Sequence, residues 1–380
     1  MTVDFDHPPE RRGGDSIKWS RYAGRDVLPL WVADMDFAVA PEIQEALRRR
    51  VDHGVFGYAE PWPSLVEAVV EHLEREYGWA IDPAWIVWLP GLVSGLVVAC
   101  RAVGGAAFTA TPVYPPFLTA PERLATAPLR RTDARWEWDL PAVEAALGPE
   151  CRSFLLCHPH NPVGRAWDEA ELAAIDALAE RRGLVVCSDE IHCGLVLDAG
   201  RRHRPFATLS RAAALRSITL MSPSKTFNLP GLGCSFAVVP DDGLRRALRR
   251  AMRGVVPHVN VLGLVACEAA FRHGAAWHRA VIEYLRGNRD RVQAAIGALP
   301  ALRTTPVEAT YLAWIDARGA GLANPQRHLE AAGIGLSDGA DFGPRGAYDG
   351  FVRLNFACAR SLLDEALTRL RRALDPGAPR

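Results

Sequence analysis

An α/β protein with a mostly parallel sheet is what this 380-residue sequence predicts, on two observations. Six short apolar runs, "WIVWL", "AAFTA", "SFLLC", "LVVCSD", "SITLMS" and "CSFAVV", are continuous rather than alternating, as strands buried on both faces must be. Amphipathic helical stretches separate many of these runs, and such helices are the crossovers that parallel strands need.

Along the chain, apolar positions in Pro41 to His53 (Ile43, Ala46, Leu47, Val51) and in Pro63 to Tyr77 (Val66, Val69, Val70, Leu73) recur at helical spacing. Each stretch opens on a proline, which the first helical turn tolerates. Asp168 to Arg181 and Asp241 to Met252 are predicted helices between runs, and longer ones are predicted over Val259 to His273 and Ala275 to Leu299. From about Thr310 the tail mixes strands ("TYLAWID", "FVRLNF") with a helix ("SLLDEALTRLRRAL"), which predicts a smaller α+β domain. The expected division is an N-terminal segment 1–40 joining the small domain, a large domain 41–270 and a small domain 271–380.

The totals exclude several classes. Formal net charge is zero, and no basic stripe or polybasic segment points to nucleic acid or an anionic membrane. The opening "MTVDFDHPPERRGGD" is polar and is not expected to be a secretion signal. The apolar stretch Ala84 to Cys100 reaches membrane-like length, but Pro90, Gly91, Ser94 and Gly95 interrupt it, so strand, turn and helix are expected instead. The eight cysteines form no CxxC pair and no zinc spacing, which predicts a reduced, cytoplasmic chain without a structural metal.

In open α/β sheets ligands lie beyond the carboxyl ends of the strands. After "WIVWL" a turn opens a helix whose free N–H groups at Gly91, Leu92 and Val93 suit a phosphate. After "AAFTA" stands Tyr114, after "SFLLC" stands Asn161 in "HPHNPVGR", and after "LVVCS" stands Asp189. Taken singly, each has a plain structural reading: a packed loop tyrosine, a turn, a helix-capping aspartate. After "SITLM" comes "SPSK", with Lys225. The chain holds 44 Lys plus Arg but only two lysines, so 44 − 2 = 42 of them are arginine. One ligand unites these positions: a phosphorylated aromatic ring with a basic nitrogen and an aldehyde. An amine condenses with an aldehyde, whereas a guanidinium, always protonated, does not. The other lysine, Lys18 in "GDSIKWSRY", has no strand-end setting and is expected at the surface.

At this point the sequence resembles the fold-type I pyridoxal-phosphate enzymes of the aspartate-aminotransferase superfamily, and within them the MalY/PatB-type C–S β-lyases. "LPLWVADMDFAVAPEI", "HGVFGYAEP", "PHNPVGR", "SDEIHCGLV", "SPSKTFNLPGL", "ATYLAWID" and "GFVRLNFACAR" carry the resemblance, in order, over nearly the whole chain. It implies a large domain around a mostly parallel seven-stranded sheet, a smaller α+β domain, and pyridoxal 5'-phosphate as cofactor.

By that resemblance Lys225 forms the Schiff base and is the catalytic base, Asp189 pairs with the ring nitrogen, and Tyr114 stacks on the ring. Asn161 and His192 stand near the ring's phenolic oxygen, and Leu92, Val93, Ser222 and Ser224 cradle the phosphate. Tyr58 reaches the phosphate of a neighbouring subunit, which implies a homodimer with shared sites. Arg353 forks onto the substrate α-carboxylate, with Ala33 of "WVADMDF" and Asn161 beside it. Two positions depart from the wider pattern. A second aromatic is replaced by Pro115, and the arginine usual eight residues beyond the lysine is Gly233. The implied reaction is β-elimination from an S-substituted cysteine. Transamination, another pyridoxal-phosphate reaction on a specialised amino acid, and a regulatory binding role on the same fold remain the alternatives.

Overall fold

The computed structural model describes residues 3–374. All six apolar runs form strands: β1 (Ile86–Leu89), β2 (Ala106–Thr111), β4 (Cys151–Cys157), β5 (Val185–Asp189), β6 (Ser217–Met221) and β7 (Ser235–Val238). The seventh strand that the resemblance implies is β3 (Leu124–Pro128), which the apolar runs did not locate; it is an edge strand, half-exposed and ending in proline, so it lacks a continuous apolar run. The sheet order is β1-β7-β6-β5-β4-β2-β3. Only β7 runs against its neighbours; the other pairings are parallel.

Register aligns the carboxyl ends. Asp189, the last residue of β5, pairs with Cys157 on one side and Leu220 on the other, so three adjacent strands finish in one row. Because β7 is antiparallel, its start at Ser235 faces Leu89, the end of β1, at the same edge of the sheet.

The principal helices fall where the periodicity places them: α1 (Pro41–His53), α2 (Pro63–Tyr77), α3 (Leu92–Val103), α4 (Glu169–Arg182), α5 (Asp242–Met252), α6 (Val261–His273), α7 (Ala275–Gly297) and α8 (Arg360–Ala373). Asp168 and Glu171 form a reciprocal capping box at the start of α4, satisfying N–H groups the helix cannot.

A smaller antiparallel sheet consists of β8 (Arg303–Thr304), β9 (Leu312–Asp316), β10 (Ser337–Asp338) and β11 (Phe351–Asn355), in the order β8-β9-β11-β10. Leu28 and Pro29 pair in parallel with Ile334 and Gly335, tying the N-terminal segment to this smaller unit. One apolar cluster runs from Leu28 and Leu30 through Phe271 and Trp277 to Leu354 and Leu367, so the two sheets share a continuous packed interior.

All eight cysteines are buried and unpaired. Among the described residues no helix is long and apolar enough to cross a membrane. The Ala84 to Cys100 stretch is a short helical turn, β1 and the start of α3.

Lys18 corrects the sequence reading. It is fully buried, its Nζ 2.8 Å from Asp36 Oδ2 and 3.6 Å from Asp34 Oδ1. Its local sequence is polar; its partners come from a segment 16 and 18 residues further on.

Candidate active site

The row of strand ends opens on a cavity of about 380 Å³ lined by every predicted site residue except Tyr58. Tyr58 is fully exposed, next to exposed Val55 and Phe56.

Lys225 stands in the turn after β6. Its Nζ donates to the Ala33 carbonyl at 2.5 Å and has no carboxylate partner among the described residues. Burial pushes the amine down to about 8, with the Arg353 guanidinium adding to the shift and the charges of Asp34 and Asp189 opposing it. Asp189 accepts an N–H from Ile191 at 3.1 Å, and burial raises its carboxyl to about 7.

Arg353, in the middle of β11, is buried. Its guanidinium donates to Asn161 Oδ1 (3.0 Å), the Trp31 carbonyl (2.9 Å) and Ser337 Oγ (3.2 Å), while Nε has no partner. The internal ion pair that a buried arginine ordinarily needs is absent among the described residues, and burial brings Arg353 down to about 10. Asn161 therefore ties the large sheet's edge to the guanidinium of the small one.

His192 is buried, its Nδ1 has no hydrogen-bond partner, and burial holds it well below its ordinary range, hence neutral. Burial also raises the Tyr114 phenol, with the Asp189 charge next.

At the opposite wall, α3 begins after Gly91 with no side chain capping it, so the N–H groups of Leu92 and Val93 lie at an open helix start. Ser222 Oγ donates to the Cys234 carbonyl (2.7 Å) and accepts the Ser224 N–H (3.1 Å), which braces the turn carrying Lys225. Gly233 has φ +56°, and a Cβ there would meet the Pro90 carbonyl at 2.9 Å. The missing arginine is thus a backbone matter: a side-chain-bearing residue would be strained at this position.

Sequence reasoning missed Asn228, Asn355 and Tyr311. Asn228 stands three residues after Lys225 in a left-handed conformation (φ 57°), donating to the Met35 and Phe37 carbonyls and accepting from Met35 N–H. Asn355, two residues after Arg353, donates to the Val32 and Asp34 carbonyls, and Tyr311 OH to that of Ala33. A buried Asn in each of the two motifs was the available signal, but its acceptors are backbone atoms that carry no residue signature.

The donor set fits pyridoxal phosphate. A buried amine without an ion-pair partner suits an aldehyde, an equally unpaired buried carboxyl suits a protonated ring nitrogen, and an open helix start suits a phosphate ester.

Comparison with known proteins agrees. The family model for aminotransferase class I and II matches residues 25–370. Cystathionine beta-lyase PatB of Bacillus subtilis is 36% identical over 98% of this chain and 100% of its own. Protein MalY of Escherichia coli is 34% identical over 98% of each chain. Among solved structures, that of OvoB superposes with a TM-score of 0.95 at 48% identity, covering 98% of this chain and 100% of that one. Cystalysin from Treponema denticola, which contains pyridoxal 5'-phosphate, gives 0.93 at 30% identity, covering 98% and 99%. The chain belongs to the class I and II aminotransferase family, as a fold-type I pyridoxal-phosphate enzyme of the MalY/PatB, cystathionine-β-lyase branch.

Proposed function

We propose that this enzyme catalyses β-elimination from an S-substituted L-cysteine, which with one water gives a thiol, pyruvate and ammonia. The observation that carries the reading is the meeting, in one cavity, of a buried unpaired amine, a buried unpaired carboxyl and a buried unpaired guanidinium. When bound, pyridoxal phosphate supplies an aldehyde for an amino group and a ring that accepts electron density.

The chain's residues do the rest. Arg353 presents a planar fork to the substrate α-carboxylate, the anion its surroundings lack. The Lys225 amine, whose pKa burial lowers to about 8, would hold the cofactor's aldehyde carbon and would serve as the base for the proton on the substrate α-carbon. Asp189 would keep the ring nitrogen protonated, Asn161 and His192 would serve the ring's phenolic oxygen, and Tyr114 would pack against the ring. Leu92 and Val93 amides with Ser222 and Ser224 would hold the phosphate. Ala33 offers its carbonyl beside the reacting amine. The lyase names of PatB and of several other relatives support elimination as the outcome.

The working unit we propose is a homodimer. Support comes from the exposed apolar run Val51, Val55, Phe56 and Tyr58, whose tyrosine would complete the phosphate site of a second copy. The large domain is taken as 41–270 and the small one as 271–380 with segment 1–40, a reading the Leu28–Ile334 pairing supports; residues 1–2 and 375–380 lie outside those described.

The test is an assay of purified protein with pyridoxal phosphate on L-cystathionine, L-cystine and S-alkyl cysteines, following thiol and pyruvate. Amino-donor and keto-acid pairs run in parallel. Pyruvate is expected in stoichiometric amount with the sulfur leaving group, a thiol from L-cystathionine and S-alkyl cysteines and a persulfide from L-cystine. Amino transfer to a keto acid with no thiol released would replace this reading with transamination.

A further inference from the structure

Residues 31–37 form neither helix nor sheet, and two of them, Val32 and Ala33, form part of the cavity wall. Such a segment must find partners for its backbone groups elsewhere. Here side chains supply them. On the cavity side, the Ala33 carbonyl accepts from Lys225 (2.5 Å) and Tyr311 (3.0 Å), and that of Trp31 from Arg353 (2.9 Å) and Ser337 (2.8 Å).

On the far side stands a closed set of four charges. Lys18 Nζ meets Asp36 Oδ2 at 2.8 Å, Asp34 Oδ1 at 3.6 Å and the Asp34 carbonyl at 3.4 Å. Arg11 meets Asp34 Oδ2 and Asp36 Oδ1, each at 2.7 Å, and the Met35 carbonyl at 3.1 Å. Trp19 Nε1 donates to Asp36 Oδ1 at 3.0 Å, and Trp31 Nε1 to the Lys18 carbonyl at 3.1 Å. The two cations and two carboxylates balance in number, while Asp34 Oδ1, 3.6 Å from Lys18 Nζ, accepts no hydrogen bond and its charge also reaches Lys225.

We infer that Lys18 is a positioning residue: its buried contacts with Asp34 and Asp36 hold the wall at the height where the Trp31 and Ala33 carbonyls orient Arg353 and Lys225 for substrate. A compact ammonium fits this fully buried slot, where Arg11 approaches only from the partly open edge. The chain's sparing use of lysine then has one explanation at both places: each site needs an amine.

The inference rests on the proposed roles of Arg353 and Lys225, and its test separates the two. Holoenzyme carrying Lys18→Met, nearly isosteric and uncharged, is compared with wild type. Hydrogen exchange should rise in peptides covering residues 30–37 and stay unchanged in the strands of the large sheet. Binding of L-alanine, an amino acid without a β-leaving group, should weaken, and KM should rise roughly tenfold or more with a smaller change in kcat, because small displacements of positioning groups are costly. Cofactor affinity and absorbance should hold. A lower melting temperature with unchanged exchange at 30–37, unchanged alanine affinity and unchanged KM would overturn the inference, leaving a merely structural ion pair. If Lys18→Met does not fold, Lys18→Met/Asp36→Asn removes both buried charges while keeping an acceptor for Arg11 and Trp19, and is judged the same way. If wild type transaminates instead of eliminating, the proposed reaction fails while exchange and alanine binding still judge Lys18.

Discussion

Two groups of buried charges lie on either side of residues 31–35, and they are neutralised differently. Behind the wall, Lys18 and Arg11 are matched by Asp34 and Asp36 at 2.7 to 3.6 Å. In front of it, Lys225, Asp189 and Arg353 hydrogen-bond only to carbonyls, an amide oxygen, a hydroxyl and a backbone N–H. Leaving charges buried without counter-charges costs free energy, and the front group responds through its ionisation: Lys225 falls to about 8, Asp189 rises to about 7 and Arg353 falls to about 10. A complete set of pairs holds a shape. An incomplete set is a site, because cofactor and substrate bring the missing charges.

The most severe break in that comparison is Lys225→Arg. It keeps the charge and removes the one amine that lines the cavity among the described residues, so turnover should fall by ~10⁴-fold, the upper range for loss of a positioned base. The yellow absorbance of bound cofactor should also be lost. Borohydride reduction of wild type followed by peptide mapping should place the pyridoxyl group on Lys225. A label on Lys18 would mean the two groups of charges have been assigned the wrong way round.

Asp189→Asn should lower turnover by ~10²–10⁴-fold while the protein still binds cofactor. The same variant sharpens the comparison without cofactor. The folded carboxyl holds its proton up to about 7, against an ordinary value of 3.8, so the folded state binds more protons between those values and wild type loses stability as pH rises through them. Cofactor-free Asp189→Asn should therefore be more stable than cofactor-free wild type at pH 8, by about 1–4 kcal/mol, with the gap closing as pH falls to about 4. Denaturant melts at both pH values measure it; equal stability at pH 8 would show that Asp189 is not an unpaired buried charge.

Arg353→Lys preserves charge but not the fork. It should raise KM and lower kcat/KM by roughly 10- to 1000-fold, about 1.4–4 kcal/mol, while the cofactor absorbance stays nearly intact. Normal kcat/KM on an amino acid in a folded Arg353→Ala protein would remove the carboxylate role.

The smallest effect is expected at Tyr58. Sedimentation should show two chains, and Tyr58→Phe should weaken cofactor binding by several-fold, about the loss of one hydrogen bond. A fully active monomer would break the shared-site reading.

Much of this was legible in the chain. The strands of the large sheet that are buried on both faces appear as unbroken apolar runs, and the residue after each parallel run faces the ligand edge by topology, whereas antiparallel β7 brings its start there. Edge strand β3, half in solvent, left no such run. Lys225 stood out because a chain rich in arginine keeps lysine only where an amine is needed. Lys18 obeyed the same rule but was misread, since its polar neighbours resemble a surface segment and its counter-charges arrive only when "WVADMDF" folds back over it.

The sequence by itself determined the α/β class, the order along the chain of the sheet-forming runs and most helix bounds, and it singled out Lys225, Asp189 and Arg353, which the fold brings to one cavity. These follow from local periodicity and from residue chemistry, which act over a few positions. Only the tertiary structure decided which charges are paired. Whether Arg353 meets a carboxylate or Asn161, and whether Lys18 meets water or Asp36, depends on contacts 192 and 18 residues apart. Burial, which sets the ionisation of every group in the cavity, exists only once those distant segments have packed.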